Sequence, residues 1–346
     1  MTNLLDDLRN SPDVMIHQVD LPTDRALVVR LSRDARKQAS FLDDRVLGRH
    51  VEGGWAEWAQ LEPLSQSIAA ATPGFIFHIG HCGSTLISRL VEGAADCHVL
   101  REPVGLRTFA SALVDDGDGA TIWPHARIEK RLKLFLNLIC KPGPTIIKAT
   151  SFCSTLIDAV EPVKSAKAIF CYVEPRRHFA AMLGGANNWI DLRTHGAVRL
   201  RRLRQLCGAR IGALSDLSPG ELAAMSWATD AACMTSPMDN DEQGRILPVD
   251  FDAFLAAPDE NLAGIINHFG YRADAARISA MLAGPVMRRY SKDARFEYTP
   301  QLRAELLAEY EIVHAGEIDK GVDWLRTKAR EHAPIASALD RFGGGI

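Results

Sequence analysis

The stretch FIFHIGHCGSTLISRL, residues 75–90, decides how this chain is expected to fold. Its first part, FIFHI, is a continuous apolar run, as expected for a strand that is buried on both faces. The loop GHCGST (80–85) follows. The next residues place Leu86, Leu90 and Ala94 four apart, which predicts one apolar face of a helix. The sequence therefore predicts a strand, a glycine-containing loop and a helix in direct succession.

The loop between this strand and this helix has the composition of an anion-binding site. A helix N-terminus leaves backbone N–H groups without partners and carries partial positive charge. Gly80 and Gly83 permit positive φ and the close approach of a phosphate or sulfate, and Ser84 and Thr85 add hydroxyl donors. A Walker A loop requires a Lys, and none lies between Gly80 and Thr85. We predict an anion-binding loop, with an ordinary capped turn as the alternative.

Apolar segments alternate with helical segments along the rest of the chain. Further strands are predicted at residues 97–103, 144–149, 166–173 and the start of 246–255. Helices are predicted at residues 126–140, 152–163 and 259–270, with a mostly helical region at 176–235. This alternation implies a mainly parallel sheet with right-handed crossovers. The predicted fold class is α/β, a P-loop NTPase-like three-layer sandwich with a mainly parallel sheet, a helical insertion and an N-terminal extension.

We expect the chain to be organised in three parts. These are an N-terminal extension (1–72), a P-loop-type main domain (73–335) and a tail (336–346). Within the extension, ALVVRL (26–31) predicts a strand and WAEWAQLEPLSQSIAAA (55–71) predicts a helix. The last six residues, RFGGGI, are expected to be disordered because glycine disfavours regular structure.

Composition argues against several classes of protein. Apolar residues make up 47% of the 346 residues, enough for a sizeable core, and the net charge of −3 gives no bulk attraction for nucleic acid. No apolar stretch approaches the length of a membrane span, and the acidic N-terminus lacks the apolar run of a signal peptide. The seven cysteines form no CxxC pair, which indicates buried thiols in a reducing compartment. We therefore expect a cytoplasmic protein without a disulfide framework or zinc site.

The loop resembles the 5′-phosphosulfate loop of the sulfotransferases, which reads roughly K/R-S-G-T/S-T-L/W-L. Gly83, Ser84, Thr85 and Leu86 match this pattern, whereas His81 and Cys82 stand where the family has Lys or Arg and Ser. Sulfotransferases bind 3′-phosphoadenosine 5′-phosphosulfate on a P-loop-type α/β fold and transfer its sulfuryl group to a hydroxyl or amine without a metal. The resemblance implies the same donor and reaction here.

The resemblance covers about residues 73–293. Five further segments are similar to the family's motifs, in the family's order: VLREP (99–103), IIKAT (146–150), AIFCYVEPRR (168–177), LPVDFDAFLAAPDENLAGIINHFG (247–270) and MRRYSK (287–292).

The resemblance also implies roles for individual residues. Glu102, at the end of a strand beside the loop, is the expected base that takes the proton of the acceptor. Lys148 and His81 are expected to offset charge on the bridging oxygen. The expected donor ligands are Gly80, His81, Cys82, Gly83, Ser84, Thr85, Leu86, Arg176, Arg177, Arg288, Arg289 and Lys292. No metal is expected, and the acceptor is expected to be a small molecule, a glycan or a peptide.

Two positions depart from the family's 3′-phosphate motif. Val173 and Ala181 stand where the family has Arg and Ser, so two usual ligands of the 3′-phosphate are missing. This departure favours an alternative, a nucleotide- or anion-binding protein without catalysis. A second alternative is a P-loop kinase or nucleoside triphosphatase, in which Glu174 or Asp250 after an apolar strand would bind Mg²⁺. Residues 184–193 are polar and rich in glycine, which predicts a lid or acceptor loop.

Overall fold

The computed structural model describes residues 2–48, 51–66, 72–140, 143–185, 188–290 and 295–346. The strands of these segments are β1 (Val14–Asp20), β2 (Arg25–Arg30), β3 (Gly53–Glu57), β4 (Gly74–His78), β5 (His98–Arg101), β6 (Thr145–Lys148), β7 (Ala168–Tyr172) and β8 (Ile246–Asp250). The α-helices are α1 (Thr2–Asn10), α2 (Arg33–Gln38), α3 (Trp58–Gln66), α4 (Ser84–Ala94), α5 (Val104–Gly117), α6 (His125–Ile139), α7 (Glu161–Lys164), α8 (Pro175–Gly184), α9 (Asn188–Cys207), α10 (Pro219–Asp239), α11 (Phe251–Ala256), α12 (Pro258–His268), α13 (Ala275–Ala283), α14 (Pro300–Val313), α15 (Ala315–Glu331) and α16 (Ala333–Phe342).

The larger sheet is parallel throughout and has the strand order β5-β6-β4-β7-β8. Helices flank it, so the predicted α/β class with a parallel sheet is confirmed. Strand β4 is central, and Phe75, Ile76 and Phe77 are fully buried, as the continuous apolar run predicted. The carboxyl ends of β4, β5 and β6 therefore lie side by side, which is where open parallel sheets place their sites.

The N-terminal residues form a second, antiparallel sheet of three strands, β1-β2-β3. The predicted strand at 26–31 is confirmed as β2. The helix predicted from Trp55 begins only at Trp58, so the prediction was wrong for the first three residues. They belong to β3 because their backbone pairs with β2, with Ala56 opposite Ala26 and Trp55 opposite Leu27. No helix of the described segments is long and apolar enough to cross a membrane.

Two other local predictions were wrong. The helix predicted at 152–163 is a 3-10 helix, Ser151–Leu156, followed by the short α7, because Val160 is extended and Pro162 starts a new helical turn. The C-terminal residues expected to be disordered include Arg341 and Phe342, which lie in α16. The Phe342 ring is buried and packs 5.1 Å from that of Phe170 on β7, and this contact orders the chain end.

Candidate functional site

The loop after β4 has an unusual backbone. Gly80, His81 and Gly83 all have positive φ, of 80°, 51° and 73°. For His81, which carries a Cβ, the left-handed conformation is strained by about 1 kcal/mol or more. Gly83 is the N-cap of α4 and offers no side chain to cap it, so the first N–H groups of the helix have no side-chain cap. This geometry suits an anion at the start of α4.

Gly83 is required for a second reason, the close packing of Phe251. A Cβ at position 83 would lie 2.0 Å from the ring of Phe251, whereas a Cβ at Gly80 would meet its nearest atom at 3.6 Å. The thiol of Cys82 points into the core and donates to the carbonyl of Cys171 at 3.1 Å, and burial raises its pKa to about 11. Among the predicted loop ligands, Cys82 therefore offers an anion only its backbone.

His78, at the end of β4, fixes the loop to the sheet. The N–H of Gly80 donates to His78 Nδ1 at 2.9 Å, which assigns the ring proton to Nε2. Nε2 lies 2.9 Å from the carbonyl oxygen of Ala149, the residue after β6, and donates to it. The loop backbone is thus held by the neighbouring strand before any ligand binds.

Two of the predicted catalytic residues meet in the sheet interior. Lys148, at the end of β6, and Glu102, just after β5, form an ion pair with Nζ 2.5 Å from Oε1. The other carboxylate oxygen of Glu102 lies 3.4 Å from Nη2 of Arg107. Glu102 also has a positive φ of 53°, so its position is imposed by this surrounding structure. Both residues are buried, with 7% of Glu102 and 1% of Lys148 exposed.

A stripe of ionisable side chains on α9, which the sequence interpretation missed, faces the same region. Asp191, His195 and Arg199 are spaced four apart, so they share one helix face, and this spacing was the available signal. Burial lowers the pKa of His195 to about 4. Its neighbour Arg107 also lowers this pKa, whereas Glu102 raises it. Burial raises the pKa of Asp191, but Arg199, His195 and His81 outweigh burial and bring it to about 2. Since α9 begins at Asn188, the predicted loop at 184–193 is helical from that residue onward.

A cavity of about 410 Å³ opens beside the loop and the N-terminus of α4. Its volume lies in the range of small-molecule sites. The loop contributes His81, Gly83, Ser84, Thr85 and Leu86. Most of the remaining wall is apolar or aromatic, from Ala181, Phe251, Leu255, Val286, Met287, Tyr290, Phe296, Tyr298, Pro300, Leu306, Leu307 and Tyr310. Among the described residues, this wall also contains the guanidinium groups of Arg289 and Arg303.

Three other cations among the predicted donor ligands do not line this cavity. Arg176 pairs with Asp319 at 3.0 Å, and Arg177 pairs with Asp252 at 3.3 Å. Arg288 is exposed and lines a neighbouring groove. Lys292 falls outside the described residues.

The two positions that depart from the 3′-phosphate motif offer no polar side chain. Val173 is buried in the core, where its carbonyl accepts from Nε1 of Trp227 at 3.1 Å. Ala181 lines the cavity with a methyl group. Neither side chain can therefore donate a hydrogen bond to a phosphate.

The two carboxylates considered for Mg²⁺ are helix caps. Glu174 accepts from the backbone N–H groups of Arg176 and Arg177 at the start of α8, and burial raises its pKa. Asp250 accepts from the N–H groups of Asp252 and Ala253 at the start of α11. Both residues therefore have a structural role in forming these helices.

Comparisons with known proteins found likeness at the level of structure. No protein-family model matches the sequence, and no curated protein sequence matches it. The sulfotransferase STF9 from Mycobacterium avium is similar with 13% identity and a TM-score of 0.40, over 74% of this chain and 80% of that one. A sulfotransferase domain from the curacin biosynthetic pathway is similar with 12% identity and a TM-score of 0.37, over 65% and 82%. Values this low carry no conclusion about donor or acceptor, which must come from the site itself.

Proposed function

We propose that this protein transfers a sulfuryl group from 3′-phosphoadenosine 5′-phosphosulfate to a hydroxyl or amine acceptor. The observation that carries the proposal is the loop. Three residues of positive φ lead into a helix without a side-chain cap, and this helix start opens into a cavity of small-molecule size. Backbone N–H groups and the hydroxyls of Ser84 and Thr85 suit a doubly charged phosphosulfate.

The wall of the cavity fits the nucleoside part of this donor. Tyr290, Tyr298, Phe251 and Tyr310 offer aromatic faces on which an adenine can stack. The phosphosulfate would be held at the loop by Gly83, Ser84 and Thr85. The 3′-phosphate is the part for which the family's usual side chains are missing.

When bound, the donor supplies the sulfuryl group, which passes to the acceptor atom as the bond between sulfur and the bridging phosphate oxygen breaks. Lys148 and His81 would stabilise the charge that collects on that oxygen. Glu102 would take the proton that the acceptor loses. The ion pair with Lys148 holds the carboxylate in place, and the nearby α9 stripe of Asp191, His195 and Arg199 makes this side of the loop polar. A polar surrounding suits an acceptor with a hydroxyl or amine.

The kinase or nucleoside triphosphatase alternative has less support. The loop has no Lys to bind the β- and γ-phosphates. Glu174 and Asp250 already accept hydrogen bonds as helix caps, so ligating Mg²⁺ would cost each helix its cap. The alternative of binding without catalysis is supported by Val173 and Ala181, which stand where the family has two ligands of the 3′-phosphate.

Ligand binding followed by transfer tests the proposal. Adenosine 3′,5′-bisphosphate should raise the melting temperature, because a ligand at 100 times its Kd stabilises by about 2.7 kcal/mol. ATP with Mg²⁺ should raise it less. A shift with ATP and Mg²⁺ alone would assign the protein to the triphosphatase class.

The second stage uses radiolabelled donor and a panel of phenols, sugars, peptides and amines. Transfer of label to one class, lost in Glu102→Gln, supports catalysis. Tight binding of the bisphosphate without transfer to any member of the panel would favour the non-catalytic alternative.

A further inference from the structure

Two arginines share one carboxylate at the edge of the cavity. Nη1 of Arg303, on α14, donates to Asp252 Oδ1 at 2.6 Å. Arg177, on α8, approaches the other oxygen, with Nη1 3.3 Å from Oδ2. Two positive charges thus meet one negative charge, and the cluster carries a net charge of about +1. We call Arg177, Asp252 and Arg303 the arginine triad.

The triad lies one aromatic ring away from the phosphate loop. The guanidinium of Arg303 stacks over Phe251 at 4.9 Å from the ring centroid. The edge of the same ring fills the space where a side chain of Gly83 would stand. Arg303, Phe251 and Gly83 therefore line one cavity, with the Phe251 ring in contact with both of the others.

The side chain of Arg303 has donors to spare in this position. It is 9% exposed, and within the described chain its hydrogen bond to Asp252 uses Nη1. A guanidinium carries further N–H groups on Nε and Nη2 that match the oxygens of a phosphate. Arg177 is 44% exposed, so water solvates much of its charge, whereas Arg303 is nearly buried beside the cavity. An anion in the cavity would add a second charged partner for Arg303.

Ala181 indicates which phosphate lacks its usual side-chain ligand. It lies one helical turn after Arg177 on α8 and lines the cavity where the family's motif has a hydroxyl. We propose that the arginine triad, through Arg303, binds the second phosphate of the donor nucleotide, in place of the side chains lost at Val173 and Ala181. This inference rests on the proposed function. It moves the main recognition of that phosphate from the positions of Val173 and Ala181 to helix α14.

Paired titrations of two nucleotides by calorimetry test the triad. The probes are adenosine 3′,5′-bisphosphate and adenosine 5′-monophosphate, which differ only in the second phosphate. Wild-type protein should prefer the bisphosphate, and Arg303→Met should reduce the ratio of the two Kd values roughly ten- to hundredfold while the monophosphate Kd hardly changes. Arg303→Lys should fall between, because it keeps the charge and loses the planar fork.

Two further variants separate phosphate binding from a structural ion pair. Arg245→Met removes another mostly buried arginine that is paired with an aspartate, Asp158, at the opposite end of the sheet, and it should leave the ratio unchanged. Asp252→Asn frees both arginines, so the preference for the bisphosphate should hold or increase. If the triad is only a structural ion pair, Asp252→Asn should lower the melting temperature and abolish the preference for the bisphosphate.

The outcomes distinguish this inference from the function on which it rests. Equal binding of both nucleotides to the wild type would overturn the triad's role and leave the loop intact as a binding site. An equal loss of both affinities in Arg303→Met would also overturn it, since Arg303 would then serve the first phosphate or the fold. Failure of both nucleotides to bind the wild type would overturn the proposed function and this inference together.

Discussion

The Nζ atom of Lys148 lies 2.5 Å from Oε1 of Glu102 in the interior of the protein, at the carboxyl ends of two neighbouring strands. The backbone joins the same residues, because the N–H of Glu102 donates to the carbonyl of Lys148 at 2.6 Å. The proposed base and the proposed cation are therefore one unit. Removing either charge leaves the other buried without its main partner.

Glu102→Gln should reduce turnover by about 10²–10⁴-fold and leave donor affinity nearly intact, because Gln keeps the shape but cannot take the proton. It should also cost about 3 kcal/mol or more of stability, since the charge of Lys148 loses its counter-ion. Urea unfolding and single-turnover kinetics measure the two effects separately.

The double variant Glu102→Gln/Lys148→Met decides what the ion pair does. With both charges gone, most of the stability should return, whereas turnover should stay low. If turnover recovers together with stability, the pair is structural and another base must act.

The two loop glycines give a matched pair of substitutions. Both have positive φ, so Gly80→Ala and Gly83→Ala should each cost about 1–2 kcal/mol in backbone strain. Gly83→Ala should cost clearly more, because its Cβ would also collide with Phe251 and displace that ring from the cavity. Chemical denaturation and titration with adenosine 3′,5′-bisphosphate should both rank Gly83→Ala as the more severe change. Equal effects at the two positions would show that Phe251 moves freely.

Ser84→Ala and Thr85→Ala should each weaken binding of adenosine 3′,5′-bisphosphate by roughly 1–3 kcal/mol, the scale of a hydrogen bond to a charged group. Ser88, one turn further on the same helix, is the control. Its hydroxyl donates to the carbonyl of Thr85 at 2.8 Å and accepts from Arg101, so Ser88→Ala should lower stability and spare ligand affinity. If calorimetry finds that Ser84→Ala and Thr85→Ala bind the bisphosphate as tightly as the wild type, the anion binds elsewhere.

His178 should make stability sensitive to acid. It is fully buried on α8, and burial together with Arg199 lowers its pKa from 6.5 to about 3, although the backbone of Gly80 acts in the opposite direction. Between these pH values the unfolded chain binds a proton that the folded chain rejects. Stability should therefore fall as the pH drops from 6.5 toward 3, by up to about 1.4 kcal/mol per pH unit.

The variant His178→Phe isolates this effect. The lowered pKa of His195, about 4, acts in the same direction, and the raised pKa of buried Asp230, about 7, acts in the opposite direction. Both groups remain in the variant, so their effects cancel in the difference between the free energies of unfolding of the two proteins. Urea unfolding at pH 7, 6 and 5 should show a smaller decline for His178→Phe. Parallel curves for the two proteins would mean that His178 accepts its proton while folded.

The sequence by itself determined the parallel sheet and its loop. The apolar run before Gly80, the glycines and the amphipathic α4 are patterns between near neighbours in the chain, and near neighbours set secondary structure. The start of α10 depends on a local pattern of the same kind, since Ser218 accepts from the N–H of Glu221 three residues on. Local pattern failed at β3, because pairing with a distant strand overrode the helical pattern.

Only the tertiary structure decided which side chains meet at the site. Lys148 and Glu102 are 46 positions apart, and Arg303 and Asp252 are 51 apart. No periodicity links such residues, since their contacts depend on the order of strands in the sheet and on where α14 packs. The need for glycine at position 83 likewise comes from the ring of Phe251, which the fold brings against the loop. Local sequence patterns determined the loop, whereas long-range packing determined which charged side chains lie around it.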